Sequence, residues 1–209
     1  MALKQLIENA NALGRQNLNA KGITTDGTET TYQIMGKIAE IQGGGSNDTQ
    51  LKELVEGTLT ELVDDTITVV GSDVFYGNKN IQSVSLPNCV TLKKLAFDNC
   101  TKLTSVYLPK CATVGESAFY GCQTLERIDL PSVTSISAKA FYSCLALATL
   151  IIRTNQVVPA GATSLFEGAP IKKGTGFIYV PDNLVEDYKA ATTWSTYANQ
   201  IKGLSELPE

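Results

Sequence analysis

The sequence predicts an α/β repeat solenoid: a parallel sheet of about five 22-residue coils, with a small helical module before it and a helical cap after it. Three observations carry this. Phe75, Phe97, Phe119 and Phe141 are 22 residues apart at every interval, the mark of a repeat architecture. Each is followed by a short stretch of alternating apolar and polar residues, three times ending in proline. The 209-residue chain is 43% apolar, enough to bury a core, so wholesale disorder is excluded.

Residues 1–42 come first. Leu3, Leu6, Ile7, Ala10 and Leu13 form one helical stripe, and Tyr32, Met35, Ile38, Ala39 and Ile41 form a second. Two such helices bury little alone, so this module is expected to self-associate or to dock on an assembly. Residues 43–50, opening on Gly43-Gly44-Gly45-Ser46, read as a flexible linker. The solenoid is expected over 51–181. Its first coil is a partial cap: Leu59, Leu62 and Val70 supply apolar rungs, but Asp64-Asp65 stands where later coils carry Leu-Pro.

The regular coils follow. Ala96-Phe97-Asp98-Asn99-Cys100, Ala118-Phe119-Tyr120-Gly121-Cys122 and Ala140-Phe141-Tyr142-Ser143-Cys144 are one motif, with a looser copy at Leu165-Phe166-Glu167-Gly168-Ala169. The strand motif reads Val84-Ser85-Leu86-Pro87, Val106-Tyr107-Leu108-Pro109 and Ile128-Asp129-Leu130-Pro131. Proline ends each strand because it cannot donate to a ladder. A further apolar rung recurs at Val70, Leu92, Val114 and Ile136. One coil cannot bury its apolar side; stacked coils can, at about 4.8 Å per strand. After Pro181, Asp182 is an N-cap candidate. Leu184, Val185, Tyr188 and Ala191 have helical spacing, so 182–209 reads as a helical cap with Trp194 as its anchor.

The recurring Leu-x-x-Val/Ile-x-Leu-Pro and Ala-Phe-x-x-Cys resemble the BspA-like (treponemal-type) leucine-rich repeat family over residues 57–181. The resemblance implies a leucine-rich-repeat parallel sheet that binds or displays and carries out no catalysis. The family includes bacterial surface adhesins, protist surface proteins and genes of phages and prophages. The stretch from Ala10 to Gly44 is similar to an N-terminal module of phage and prophage tail fibres.

Composition narrows the chemistry. There is no histidine, which removes Ser-His-Asp and Cys-His nucleophilic sites and histidine-ligated zinc. The net charge of -4 argues against nucleic-acid binding through phosphates. No apolar run reaches the length of a membrane span, so no membrane insertion is expected. Residues 1–10 lack the continuous apolar core of a secretory leader. Cys100, Cys122 and Cys144 share one repeat position, and Cys89 and Cys111 another. Two columns of small, buried side chains are favoured over disulfides or a zinc site, since there is no CxxC. Asp64-Asp65 and Glu186-Asp187 read as solvated surface. No cofactor, metal site or catalytic residue is expected.

The candidate binding site is the outward row of strand positions, which a repeat places side by side. One column is Ser83, Ser105, Arg127, Thr149 and Phe177; the next is Ser85, Tyr107, Asp129, Ile151 and Tyr179. Tyr107, Arg127, Asp129, Ile151 and Tyr179 have the amphipathic makeup of a recognition patch. Two functions are in view. The first is a phage or prophage virion component, a tail fibre or receptor-binding protein. It would touch a host cell-surface protein or glycan and other virion proteins, and form a homo-oligomer, a trimer among the closed forms, through residues 1–42. The second is a bacterial cell-surface adhesin or protein–protein interaction module.

Overall fold

The structure, a computed structural model, describes residues 59–65, 67–161 and 164–209. The helical stripes expected within 1–42, the linker at 43–50 and the start of the cap coil lie outside the described residues.

Each of the first four coils contributes a front strand and a back strand. In chain order these are β1 (Glu61–Val63), β2 (Val69–Val70), β3 (Ser83–Ser85), β4 (Thr91–Leu92), β5 (Ser105–Tyr107), β6 (Thr113–Val114), β7 (Arg127–Leu130) and β8 (Ser135–Ile136). Then come β9 (Thr149–Ile152), β10 (Phe177–Val180) and β11 (Ile201–Gly203). All pairings are parallel, and through the regular coils the register follows the 22-residue repeat: Leu62 faces Val84, Val84 faces Val106, and Leu92 faces Val114. The back strands correct the expectation of a single parallel sheet. The second apolar rung forms its own sheet, β2-β4-β6-β8, because Thr91, Thr113 and Ser135 alternate with the buried Leu92, Val114 and Ile136. The front is two sheets, β1-β3-β5 and β7-β9-β10-β11, with the ladder interrupted between β5 and β7.

The Phe-bearing turn is the third side. It reverses the chain with two left-handed residues per coil. The first is Asp73, Leu95, Ser117 or Lys139, at φ 54–61°; the second is Gly77, Asn99, Gly121, Ser143 or Gly168. That conformation directs turn N–H groups at the next coil: Phe75 N donates to Ala96 O at 2.9 Å, Phe97 N to Ala118 O at 2.8 Å and Gly121 N to Tyr142 O at 2.8 Å. The turns thus form a ladder as regular as a strand. Inside it the phenylalanines stack in a column, with centroids 4.9–5.7 Å apart and interplanar angles of 2–7° from Phe75 through Phe166. Each ring is fully buried. Phe166 extends the column despite the three extra residues before it, so the looser copy is a true rung.

The coil after β9 departs from the pattern. It includes the short helix α1 (Pro170–Lys173), closed by Gly174 at φ 85°. Its backbone at 156–161 and 164–166 bonds the coil before it and has no following coil of the same kind to pair with. Side chains from the C-terminal segment supply the partners that buried peptide groups require. Tyr188 Oη accepts from Val158 N and donates to Gln156 O. Trp194 Nε1 donates to Val158 O at 2.6 Å, and Thr193 Oγ1 to Ala160 O at 3.0 Å. Trp194, Tyr188 and Tyr197 are fully buried around Phe166, with Tyr197 edge-on to its ring at 5.1 Å. The segment is not purely helical, as expected over 182–209. It runs through a 3₁₀ turn (Asp182–Leu184), α2 (Val185–Ala190) and a 3₁₀ stretch (Trp194–Gln200) into β11, which pairs with β10.

Candidate binding surface

The inward column Leu62, Val84, Val106, Ile128, Leu150, Ile178 and Ile201 anchors the front strands. All are buried except Val106, which is partly exposed. The alternating positions project outward in two columns, and the five candidate residues fall among them. Tyr107 is 57% exposed, Arg127 is exposed and Asp129 half-buried. Tyr107 stands on β5 and the other two on β7.

Ile151 and Tyr179 do not share that surface. Ile151 is 0% and Tyr179 4% exposed, so the expectation that they face solvent is corrected. The register sets Ile151 between Asp129 and Tyr179. Arg153, two residues after Ile151 and just past the end of β9, reaches back to Asp129 with a forked contact of 2.8–3.2 Å. Tyr179 lies between Ile151 and Lys202, and the Lys202 ammonium sits 4.3 Å from the centre of the Phe177 ring. At the C-terminal end of the outer face Arg153 is thus held to Asp129 and Lys202 to the Phe177 ring.

Arg153 and Lys202 were not among the candidates, and Phe177 was placed in the outward column but outside the five-residue patch. Arg153 carried a readable sign: it occupies the position that is proline in the preceding coils, Pro87, Pro109 and Pro131. The hydrogen bond to Asp129 is the main cause of its raised pKa. With both partners partly exposed, the pair contributes up to about 1 kcal/mol, and mainly holds Asp129 in place.

The other polar groups serve the scaffold. All five cysteines are free and buried. Cys100, Cys122 and Cys144 each donate Sγ–H to a carbonyl of the coil before, at Phe75, Phe97 and Phe119, over 3.0–3.2 Å. Burial pushes the Cys100, Cys111 and Cys144 thiols up to about 12 and Cys122 well above its ordinary value, so they are poor nucleophiles. Asp98 is 5% exposed, in the position held by Tyr76, Tyr120 and Tyr142 elsewhere, and accepts from the Asn99 amide. Burial raises its pKa to about 6. Among the described residues no group of three or more cysteine or carboxylate side chains could hold a metal. Nor is any helix among them long and apolar enough to cross a membrane.

Parallel strands on a front and a back face, a stacked phenylalanine column and a thiol column, all on one period, are the geometry of a repeat family, and a family model matches it. The BspA type leucine rich repeat region, in six copies, covers residues 58–169. The chain belongs to this leucine-rich repeat family. Solved members of the leucine-rich repeat class share the fold. A leucine rich repeat protein from T. pallidum is 24% identical at a TM-score of 0.50, over 59% of this chain and 60% of that one. A leucine rich cell surface protein from Faecalibacterium prausnitzii is 19% identical at a TM-score of 0.50, over 68% of this chain and 35% of that one. The chain thus spans less than two thirds of either repeat protein. No curated protein matches it.

Proposed function

We propose that this BspA-type repeat protein works at a cell surface, where the open part of its front face, around Tyr107 and Arg127, binds a protein or glycan without catalysis. The observation that carries the reading is the contrast along that face: Tyr107 and Arg127 are exposed on β5 and β7, whereas Ile151 on β9 and Tyr179 on β10 are buried. A tyrosine beside an arginine combines an apolar face with a forked donor, the pairing that dominates binding energy at protein interfaces. The similar fold from Faecalibacterium prausnitzii is that of a cell surface protein, which supports the location.

The test is binding of fluorescent full chain to epithelial and to bacterial cells, read by flow cytometry. Tyr107→Ala combined with Arg127→Ala is expected to weaken binding at least tenfold. Ile151→Val, at a buried position of the same face, is expected to leave it unchanged. Equal binding by the double variant and the wild type would sink the patch.

The virion reading stands on the sequence of residues 1–42. Light scattering separates the two. A closed oligomer that becomes monomeric when the chain starts at Asn47 favours a virion attachment role. A monomer in both forms favours the cell-surface role.

A further inference from the structure

We propose that the solenoid contains a hinge between β5 and β7, pivoting on the back sheet. Among the described residues, every other neighbouring pair of front strands, from β1 to β11, is hydrogen-bonded, and this one is not. The flanking steps show what is missing. Thr104 N and Ser105 N donate to Gln82 O, and Ala148 N and Thr149 N donate to Glu126 O; Leu86 N donates to Tyr107 O. Carried one coil along, the same pattern would have Arg127 N donate to Thr104 O and Leu108 N to Asp129 O. Neither bond forms, and no register pairing joins Val106 to Ile128.

A second observation is independent of the hydrogen bonds. Val106 points inward in the same column as Val84 at 2% and Ile128 at 1%, yet it alone of the three is partly exposed. Solvent reaches the core edge through this step. The other two sides stay closed. On the back, Val114 pairs with Ile136, and Thr134 N donates to Ala112 O at 2.8 Å. At the turn, Phe119 N donates to Ala140 O at 2.9 Å, and the Phe119 and Phe141 rings stay stacked. An opening on one side and bonded ladders on the others define an axis of rotation. Coils up to β6 form one body, and coils from β7 onward the other. Tyr107 stands on one lip and Arg127 on the other, so the hinge angle sets their separation.

The experiment needs no ligand, so its outcome is independent of the surface role above. In the full chain, amide hydrogen exchange at Val106, Leu108, Arg127 and Asp129 is expected to be at least a hundredfold faster than at their counterparts Val84, Leu86, Thr149 and Ile151. Exchange within threefold of those counterparts would overturn the open step. Paired spin labels then test rotation. Gln82→Cys with Glu126→Cys spans the front, and Val90→Cys with Thr134→Cys spans the same two coils on the back; all four positions are exposed. A front distance distribution at least twice as wide as the back one is expected. Equal widths would show a fixed gap and no hinge.

Discussion

The regular coils, 81–146, and the C-terminal end, 147–209, solve the same problem by different means. In the regular coils the core positions repeat their contacts one coil away: phenylalanine stacks on phenylalanine, and each thiol donates to the phenylalanine carbonyl of the coil before. Stability there is a sum of near-identical neighbour terms. At the end there is no next copy. Buried peptide groups are satisfied by individual side chains, Tyr188, Trp194 and Thr193, each making a bond that occurs once. Redundancy protects the first region, and specific placement closes the second.

Lesions should therefore spread differently. The largest expected effect is Phe119→Ala. It removes a ring packed between two others, leaves a cavity in mid-column, and is expected to cost about 4 kcal/mol. Urea unfolding followed by tyrosine and tryptophan emission should show both regions losing stability together, because the column runs through to Phe166 and the end segment. Tyr188→Phe is smaller and local. It keeps the ring but orphans Val158 N, a cost of about 2 kcal/mol. Hydrogen exchange should rise around 156–166 and stay unchanged in 81–125; a uniform rise would show that the end is not a separate device.

Two substitutions in the regular coils should stabilise. Asp98 sits within a turn column otherwise held by tyrosine, and burial raises its pKa to about 6. Its folded-state pKa lies above the ordinary value, so its contribution is fully present below about pH 4 and is lost as pH rises through 6. Asp98→Asn keeps an acceptor for Asn99 and escapes that loss. The variant is expected to exceed the wild type by on the order of 1 kcal/mol at pH 7.5, with a smaller gap at pH 4.5, in paired urea titrations. Lys139 is exposed at φ 57°. Lys139→Gly removes the left-handed strain there and is expected to add roughly 0.5 kcal/mol in thermal melts, the smallest effect of the four.

What could be read in advance follows the same division. The 22-residue spacing located the phenylalanine column, the inward strand column and both cysteine columns, because a repeat converts sequence distance directly into contact. It failed where contact depends on a residue without a copy. Ile151 and Tyr179 obey strand alternation and still face away from solvent. Alternation assigns a side of the sheet and carries no information on whether that side is covered. β11 was missed because Ile201-Lys202-Gly203 is three residues long and follows helical spacing; its partner β10, not its own pattern, makes it a strand. The missing ladder at β7 had no sign in the sequence, for Arg127-Ile128-Asp129 alternates as well as any coil.

The register has a consequence for how such a molecule changes over generations. β3 and β5 pair residue for residue, and so do β4 and β6, so the upper and lower edges of a coil carry the same pattern of donors and acceptors. A 22-residue unit duplicated between residues 102 and 103 would find matching edges above and below. It would lengthen the rod by about 4.8 Å and leave both ends and the open face intact. Reach is thus a heritable dimension that whole-coil duplication or loss can tune in fixed steps, independently of what the face recognises.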